Sequence, residues 1–176
     1  NAFKYFLMDG GIKVPFVMSW PERFAAGTRV DELVTHRDLY ASLSAITSIA
    51  PKKPLDGQDL LPLVDGSVAA LHDTETMFWD SGREQNWVAR EDDWKLVFRA
   101  EAKTYHAYEL DEAGLVKDEF REVTIPDGLQ LYHLGEDPGE TMDLAHRYPE
   151  RVAMMESRYR TWRAEMSDRI RGRDQK

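Results

Sequence analysis

Residues 12–20, from Ile12 through Val14, Phe16 and Val17 to Trp20, constrain the fold more than any other stretch of this chain. They form a continuous apolar run with little alternation, the pattern of a strand buried on both faces of a sheet. Pro15 offers no amide donor, which places it near the edge or start of that strand, and Pro21 ends the run. A strand of this kind needs covering layers.

The rest of the chain punctuates clearly. Residues 22–29 read as a loop and residues 30–34 as a short extended stretch. Thr35, His36, Arg37 and Asp38 have the pattern of a helix start, with Thr35 as the cap and Asp38 reaching back to it. Leu39, Leu43 and Ile46 follow at helical spacing and predict one apolar face to about Ile49. Pro51 and Pro54 close that helix. Residues 55–66 are a turn-rich connector with a short helical turn at its centre, and the charged stretch 66–75 is the best boundary between two layers.

Beyond it, residues 77–80 and 87–90 are strand-like, and Trp94, Leu96 and Phe98 alternate with Lys95, Val97 and Arg99. Glu91, Asp92 and Asp93 suit a hairpin turn. Residues 105–110 and 129–134 are two more candidate strands, separated by an acidic excursion at 111–127. Asp137 to Glu140 is a turn by composition. A last helix is expected from Pro149, whose missing amide hydrogen costs nothing at the first helical position. Val152, Met155, Tyr159, Trp162 and Met166 run along one side of it as a core-facing stripe.

Composition excludes several classes of function. The formal net charge of -9 over 176 residues argues against a nucleic-acid partner, since phosphate neutralisation needs a basic surface. The arginines between 151 and 173 fit a solvated helix whose C-terminal end favours cations. With no cysteine, disulfides, thiolate metal sites and cysteine nucleophiles are all ruled out within these residues. No apolar run approaches the roughly 18 residues of a membrane-spanning helix, so no membrane partner is expected.

The segment from Lys4 through Asp9, Gly10, Gly11, Ile12, Lys13, Val14, Pro15 and Phe16 resembles the lysine-plus-EGGxRVPF segment of type I sulfatases. These are the formylglycine-dependent enzymes of the alkaline phosphatase superfamily, and Lys4 keeps their six-residue spacing to the first glycine. Four further segments are similar to that family in order and spacing. Residues 34–39 resemble its V-S-H-x-D-L helix start and residues 55–66 its L-D-G-x-S-L-L-P-L-L-x-G connector. Residues 87–97 resemble the A-V-R-x-G-D-W-K-L-I hairpin, and residues 131–145 the L-Y-D-L-x-x-D-P-x-E-x-x-N-L-A turn. Asp9 stands in place of glutamate, Lys13 of arginine, His133 of aspartate and Asp143 of asparagine. Lys13 forgoes the planar two-pronged contacts of arginine.

The resemblance implies that the nucleophile and metal ligands lie upstream of these residues and that this chain is the C-terminal portion of a sulfatase. It implies formylglycine and a divalent cation, calcium by the family's habit, in the full-length parent. Neither is expected in this chain, which has no cysteine and no Ser-x-Pro-x-Arg pattern. It gives one residue an active-site role, Lys4, as the contact to the substrate's sulfate group. A sulfated small molecule or carbohydrate is the implied substrate of the parent, and the isolated chain is expected to be inactive.

Other candidates have plainer readings. Gly10 and Gly11 suit close backbone packing at the start of a buried strand better than a phosphate loop, because no helix is expected after them. His36, His72, His106, His133 and His146 lack metal-ligand spacing, and the pairs Asp92 with Asp93 and Asp111 with Glu112 suit solvated turns. Trp79, Trp87, Trp94 and Tyr105 can fill a small core or line a substrate mouth.

The expected fold is α+β. Residues 3–70 form the last strand and helix of an alkaline-phosphatase-like α/β domain, and residues 71–176 a small four-stranded antiparallel sheet packed by a C-terminal helix. The expected function is hydrolysis of sulfate monoesters by the parent. Phosphonate or phosphodiester hydrolysis on the same scaffold, or a non-catalytic structural or interaction domain, are the alternatives. Without neighbouring strands residues 12–20 would expose an apolar edge, so self-association of the isolated chain is expected. The compartment stays open, with a periplasmic or secreted parent as one reading.

Overall fold

A computed structural model describes the chain apart from residues 1–6, 73–74, 83–84, 112, 114 and 174–176, and leaves the side chains at 107, 109, 110, 118, 119, 121 and 171–173 undescribed. Lys4 and Glu112 therefore lie outside the described residues. Two compact units emerge, one comprising residues 1–13 with 76–176 and the other residues 14–75.

The larger unit is built on an antiparallel sheet of four strands, β1 (Met77–Asp80), β2 (Asn86–Glu91), β3 (Trp94–Arg99) and β6 (Gly128–His133), in the order β1-β2-β3-β6. Glu91 pairs with Trp94, so the β2-β3 turn is the two residues Asp92 and Asp93. Asp92 takes a φ of 51°, the left-handed conformation that such tight hairpins require and that aspartate tolerates.

The alternation in β3 separates two apolar faces. Leu96 pairs with Ala89 on one side and Leu131 on the other, and these residues are fully buried against Met155 and Tyr159 of α4 (Pro149–Arg173). Trp87 stacks on Tyr159 with ring centroids 4.0 Å apart, and Phe78 stacks on Trp162 at 5.1 Å. On the opposite face, Val88, Val97 and Tyr132 pack with Met8, Ile125 and Leu134, joined by Trp79 and Tyr105. The helix stripe and the aromatic residues thus fill the core.

Residues 105–110 form a strand as expected, and the account of residues 111–127 is corrected. Residues 105–110 do not join the four-stranded sheet, and the acidic excursion is not loop: β4 (Lys103–Leu110) pairs with β5 (Val116–Ile125) in a separate two-stranded ribbon. Asp111 closes its turn by accepting from the amides of Ala113 and Leu115. The charges of residues 117–122 mask the strand pattern, because most of the ribbon's described side chains face solvent and a strand so placed can be polar on both faces.

The expectation of a strand over residues 12–20, of which 12–13 belong to the larger unit and 14–20 to the smaller one, is corrected. Residues 9–12 form one helical turn, α1 (Asp9–Ile12), and residues 13–20 carry no regular structure, with Val14 and Val17 73% and 89% exposed. Residues 30–34 likewise form no strand. A strand exists through its ladder partners, and no described residue offers these segments one. The helix start is as expected: in α2 (His36–Thr47) the Asp38 carboxylate accepts from the Thr35 amide at 2.6 Å. The connector carries the short turn α3 (Leu61–Val64) with Leu61 and Leu63 buried. Gly57 must be glycine, since a β-carbon there would sit 2.2 Å from the Arg37 carbonyl oxygen.

Candidate functional site

Lys4 lies outside the described residues, so the site is built from the segment that follows it. Met8 is buried and Asp9 opens α1, whose turn is closed by Gly11 and Ile12 amides donating to the Met8 carbonyl. This segment sits on the sheet face that holds Lys95, Val97 and Arg99.

Lys95 is fully buried. Its Nζ lies 2.7 Å from Asp9 Oδ1 and 2.6 Å from Glu140 Oε1. The other Glu140 oxygen accepts the Asp9 backbone amide at 2.7 Å, so one glutamate holds both the lysine and the start of the helical turn. Glu140 reaches inward from the Asp137–Glu140 turn with a φ of 53°. Asp137 accepts from the amides of Thr141 and Met142; partial burial works against these bonds, yet they hold its carboxyl below the ordinary range.

Arg99 completes the cluster. Its guanidinium donates to Gln130 Oε1 and to the Met8 sulfur, and burial pulls it below the usual arginine value, opposed by Tyr132 and Glu140. Lys95 pairs with both Asp9 and Glu140, and Arg99 adds a second cation that interacts electrostatically with Glu140, which makes burial tolerable. Burial also pushes the Tyr132 hydroxyl up to about 12, so it stays protonated.

The smaller unit holds a second buried polar group. Asp38 Oδ2 lies 3.1 Å from His72 Nε2, and the other His72 nitrogen lies 2.8 Å from Glu75 Oε2 and 3.1 Å from Gln58 Nε2. The Gln58 amide donates to Asp38 Oδ1 at 2.9 Å. Burial acts to raise the Asp38 carboxyl, but the amides of Gln58 and Thr35 and the His72 ring outweigh it and hold it below the ordinary range. His72 is thus a structural clasp, while His36 is exposed.

The remaining candidates do not converge. His133 packs edge-on against Trp94, and His106 lies in the exposed ribbon against Phe120. Asp143, where the resemblance has asparagine, accepts the Leu131 and Ala145 amides through one oxygen, which either residue type can do. Among the described residues no group of three or more histidines, aspartates or glutamates is arranged to hold a metal ion. These residues therefore do not fit the divalent cation that the resemblance implies for the parent, and the sequence holds no cysteine to become formylglycine.

A family model described as N-sulphoglucosamine sulphohydrolase, C-terminal, matches residues 3–119. The chain is 29% identical over 143 residues to human arylsulfatase H, covering 77% of this chain and 25% of that protein. It is 28% identical over 145 residues to bovine arylsulfatase A, covering 77% of this chain and 27% of that protein. A solved structure described as Ps i-CgsB shares the fold at a TM-score of 0.58 and 18% identity, over 81% of this chain and 27% of that one. The chain belongs to the sulfatase family, matching its C-terminal domain. It spans about a quarter of the length of these relatives.

Proposed function

We propose that the chain is the C-terminal portion of an enzyme that hydrolyses sulfate monoesters, with its nucleophile and metal ligands upstream. The family match over residues 3–119 carries this reading. The relatives named arylsulfatase support a sulfated small molecule as substrate class, and the family model named for N-sulphoglucosamine supports a sulfated carbohydrate. Residues 3–70 are the closing part of the catalytic α/β domain and residues 71–176 its C-terminal subdomain. Apolar side chains that the smaller unit leaves exposed, among them Val17, Leu43 and Ile49, fit a face covered by the upstream part of that domain.

Lys4 is the one residue of this chain to which we give an active-site role. Cleavage of a sulfate ester builds negative charge on the leaving oxygen and on the sulfuryl oxygens, and a fixed ammonium stabilises that charge. In the full-length enzyme formylglycine and a divalent cation, calcium by the family's habit, would supply the nucleophilic and electrophilic chemistry from upstream, and the isolated chain would be inactive.

The test compares the full-length enzyme on an aryl sulfate, an aryl phosphonate and a phosphodiester. Preferential turnover of the sulfate is expected, and Lys4→Ala should lower it by roughly 100-fold or more, the scale of losing one stabilising donor. Preference for the phosphorus esters would move the assignment to that branch of the superfamily. Absence of turnover on all three would leave a structural or interaction domain.

A further inference from the structure

We propose that the cleft where the irregular segment after β6 runs into α4 is a binding site for an aromatic sulfate or carboxylate, read by Arg147 and Arg151. The site is independent of the catalytic reading: every residue it uses lies in the larger unit, and none of them is given a catalytic role.

The cleft has a volume of about 550 Å³ and is lined by Arg147, Tyr148, Pro149, Glu150, Arg151 and Met154, a size that suits a small organic ligand. Aromatic rings hold both cations. The Arg151 guanidinium carbon lies 4.6 Å from the centroid of the Trp94 ring, and that of Arg147 lies 5.7 Å from the centroid of Tyr148. Trp94 meets Tyr148 edge-on at 5.0 Å and His133 at 4.7 Å, so the rings form a connected base anchored on β3 and β6. A guanidinium that stacks by its face keeps its N–H edges for an oxyanion. Among the described residues neither arginine pairs with a carboxylate, whereas Arg158, Arg160 and Arg163 further along α4 all do.

The lining fixes the class of ligand. Glu150 brings a carboxylate that pairs with neither arginine, so a single negative charge fits better than a phosphate dianion or a polyanion. Carboxylate and sulfate monoester both offer two oxygens in the spacing that a guanidinium reads. Tyr148 and Met154 are 36% and 37% exposed, and with the Pro149 ring they set apolar surface beside the cations. A ring and a thioether suit an aromatic body. An aryl sulfate or an aryl carboxylate meets both demands.

Calorimetric titration of the 176-residue chain with phenyl sulfate and with benzoate tests the site, with phenol as the uncharged control and inorganic sulfate as the control without a ring. At least one aryl anion should bind more tightly than both controls, which names the anion preferred, and added salt should weaken it. Arg147→Gln and Arg151→Gln should each lower that affinity on the order of 10-fold, the scale of one hydrogen bond to a charged group. Arg147 is exposed, so its replacement leaves the packing over Trp94 in place and is the decisive variant. Glu150→Gln should raise the affinity roughly 2- to 5-fold, the weight of one exposed charge, a gain that no loss of folding imitates. Absence of saturable binding by both aryl anions would overturn the proposal. So would an affinity unchanged by Arg147→Gln or by Glu150→Gln, or inorganic sulfate binding as tightly as the aryl anions.

Discussion

Asp38 shows how one side chain sets both a helix and its surroundings. Its carboxylate caps α2 through the Thr35 amide, receives the connector through the Gln58 amide and touches the His72 ring. Each partner favours the ionised form, so the folded carboxyl titrates below its ordinary 3.8. A folded value below the unfolded one stabilises the fold at every pH above the unfolded value, and that stability drains away as pH falls from about 4 through the folded value. Asp38→Asn should therefore be less stable than the parent chain at pH 6, with the difference shrinking as urea midpoints are taken from pH 5 towards pH 3. A difference independent of pH would show that Asp38 acts through shape alone. The cap was legible from the spacing of Thr35 and Asp38. The His72 contact was not, because 34 residues separate the partners and neither histidine spacing nor periodicity points across such a gap. Lys95 was half legible: its alternation with Val97 placed an apolar residue on its own face, a sign that this face is covered.

At the scale of elements, the helix stripe was the most readable feature and β5 the least. Val152, Met155 and Tyr159 recur at helical spacing because α4 buries one side against the Trp87, Ala89, Leu96 and Leu131 face. Met155 is fully buried there, so Met155→Ala should cost about 2–5 kcal/mol, the range for truncating a core methionine. Denaturant unfolding measures this directly, and a loss well under 1 kcal/mol would mean that α4 is not docked as described. The ribbon gave no such signal. Phe120 is exposed, with its ring beside that of Tyr108, and charged residues surround it in the sequence. Residues 12–20 failed for the opposite reason. Their apolar run has the pattern of a strand buried on two faces, yet such burial requires ladder partners, and periodicity reports the demand for them without supplying them.

For the molecule as a whole, the smaller unit buries Asp38, Ser42 and His72 beside Leu60, Leu61 and Leu63 while leaving several large apolar side chains exposed. In α2 the buried residues are Asp38 and Ser42, while Leu43 and Ile46 are 57% and 40% exposed. The Ser42 hydroxyl donates to the Asp38 carbonyl and accepts the Leu60 amide, so the inner side is fastened by hydrogen bonds to the connector. Val14, Phe16, Val17 and Ile49 of the same unit are exposed as well. An apolar surface of this kind favours association whenever nothing else covers it. The 176-residue chain by itself should therefore show an apparent mass that rises with concentration in light scattering, despite a net charge of -9 that opposes association. Raising salt should increase the effect, because screening removes the repulsion and leaves the apolar attraction intact. Leu43→Glu together with Val17→Glu should shift the mass towards that of one chain. A constant single-chain mass for the unaltered protein, at all concentrations and salt levels, would count against an uncovered face and against the upstream partner proposed to cover it.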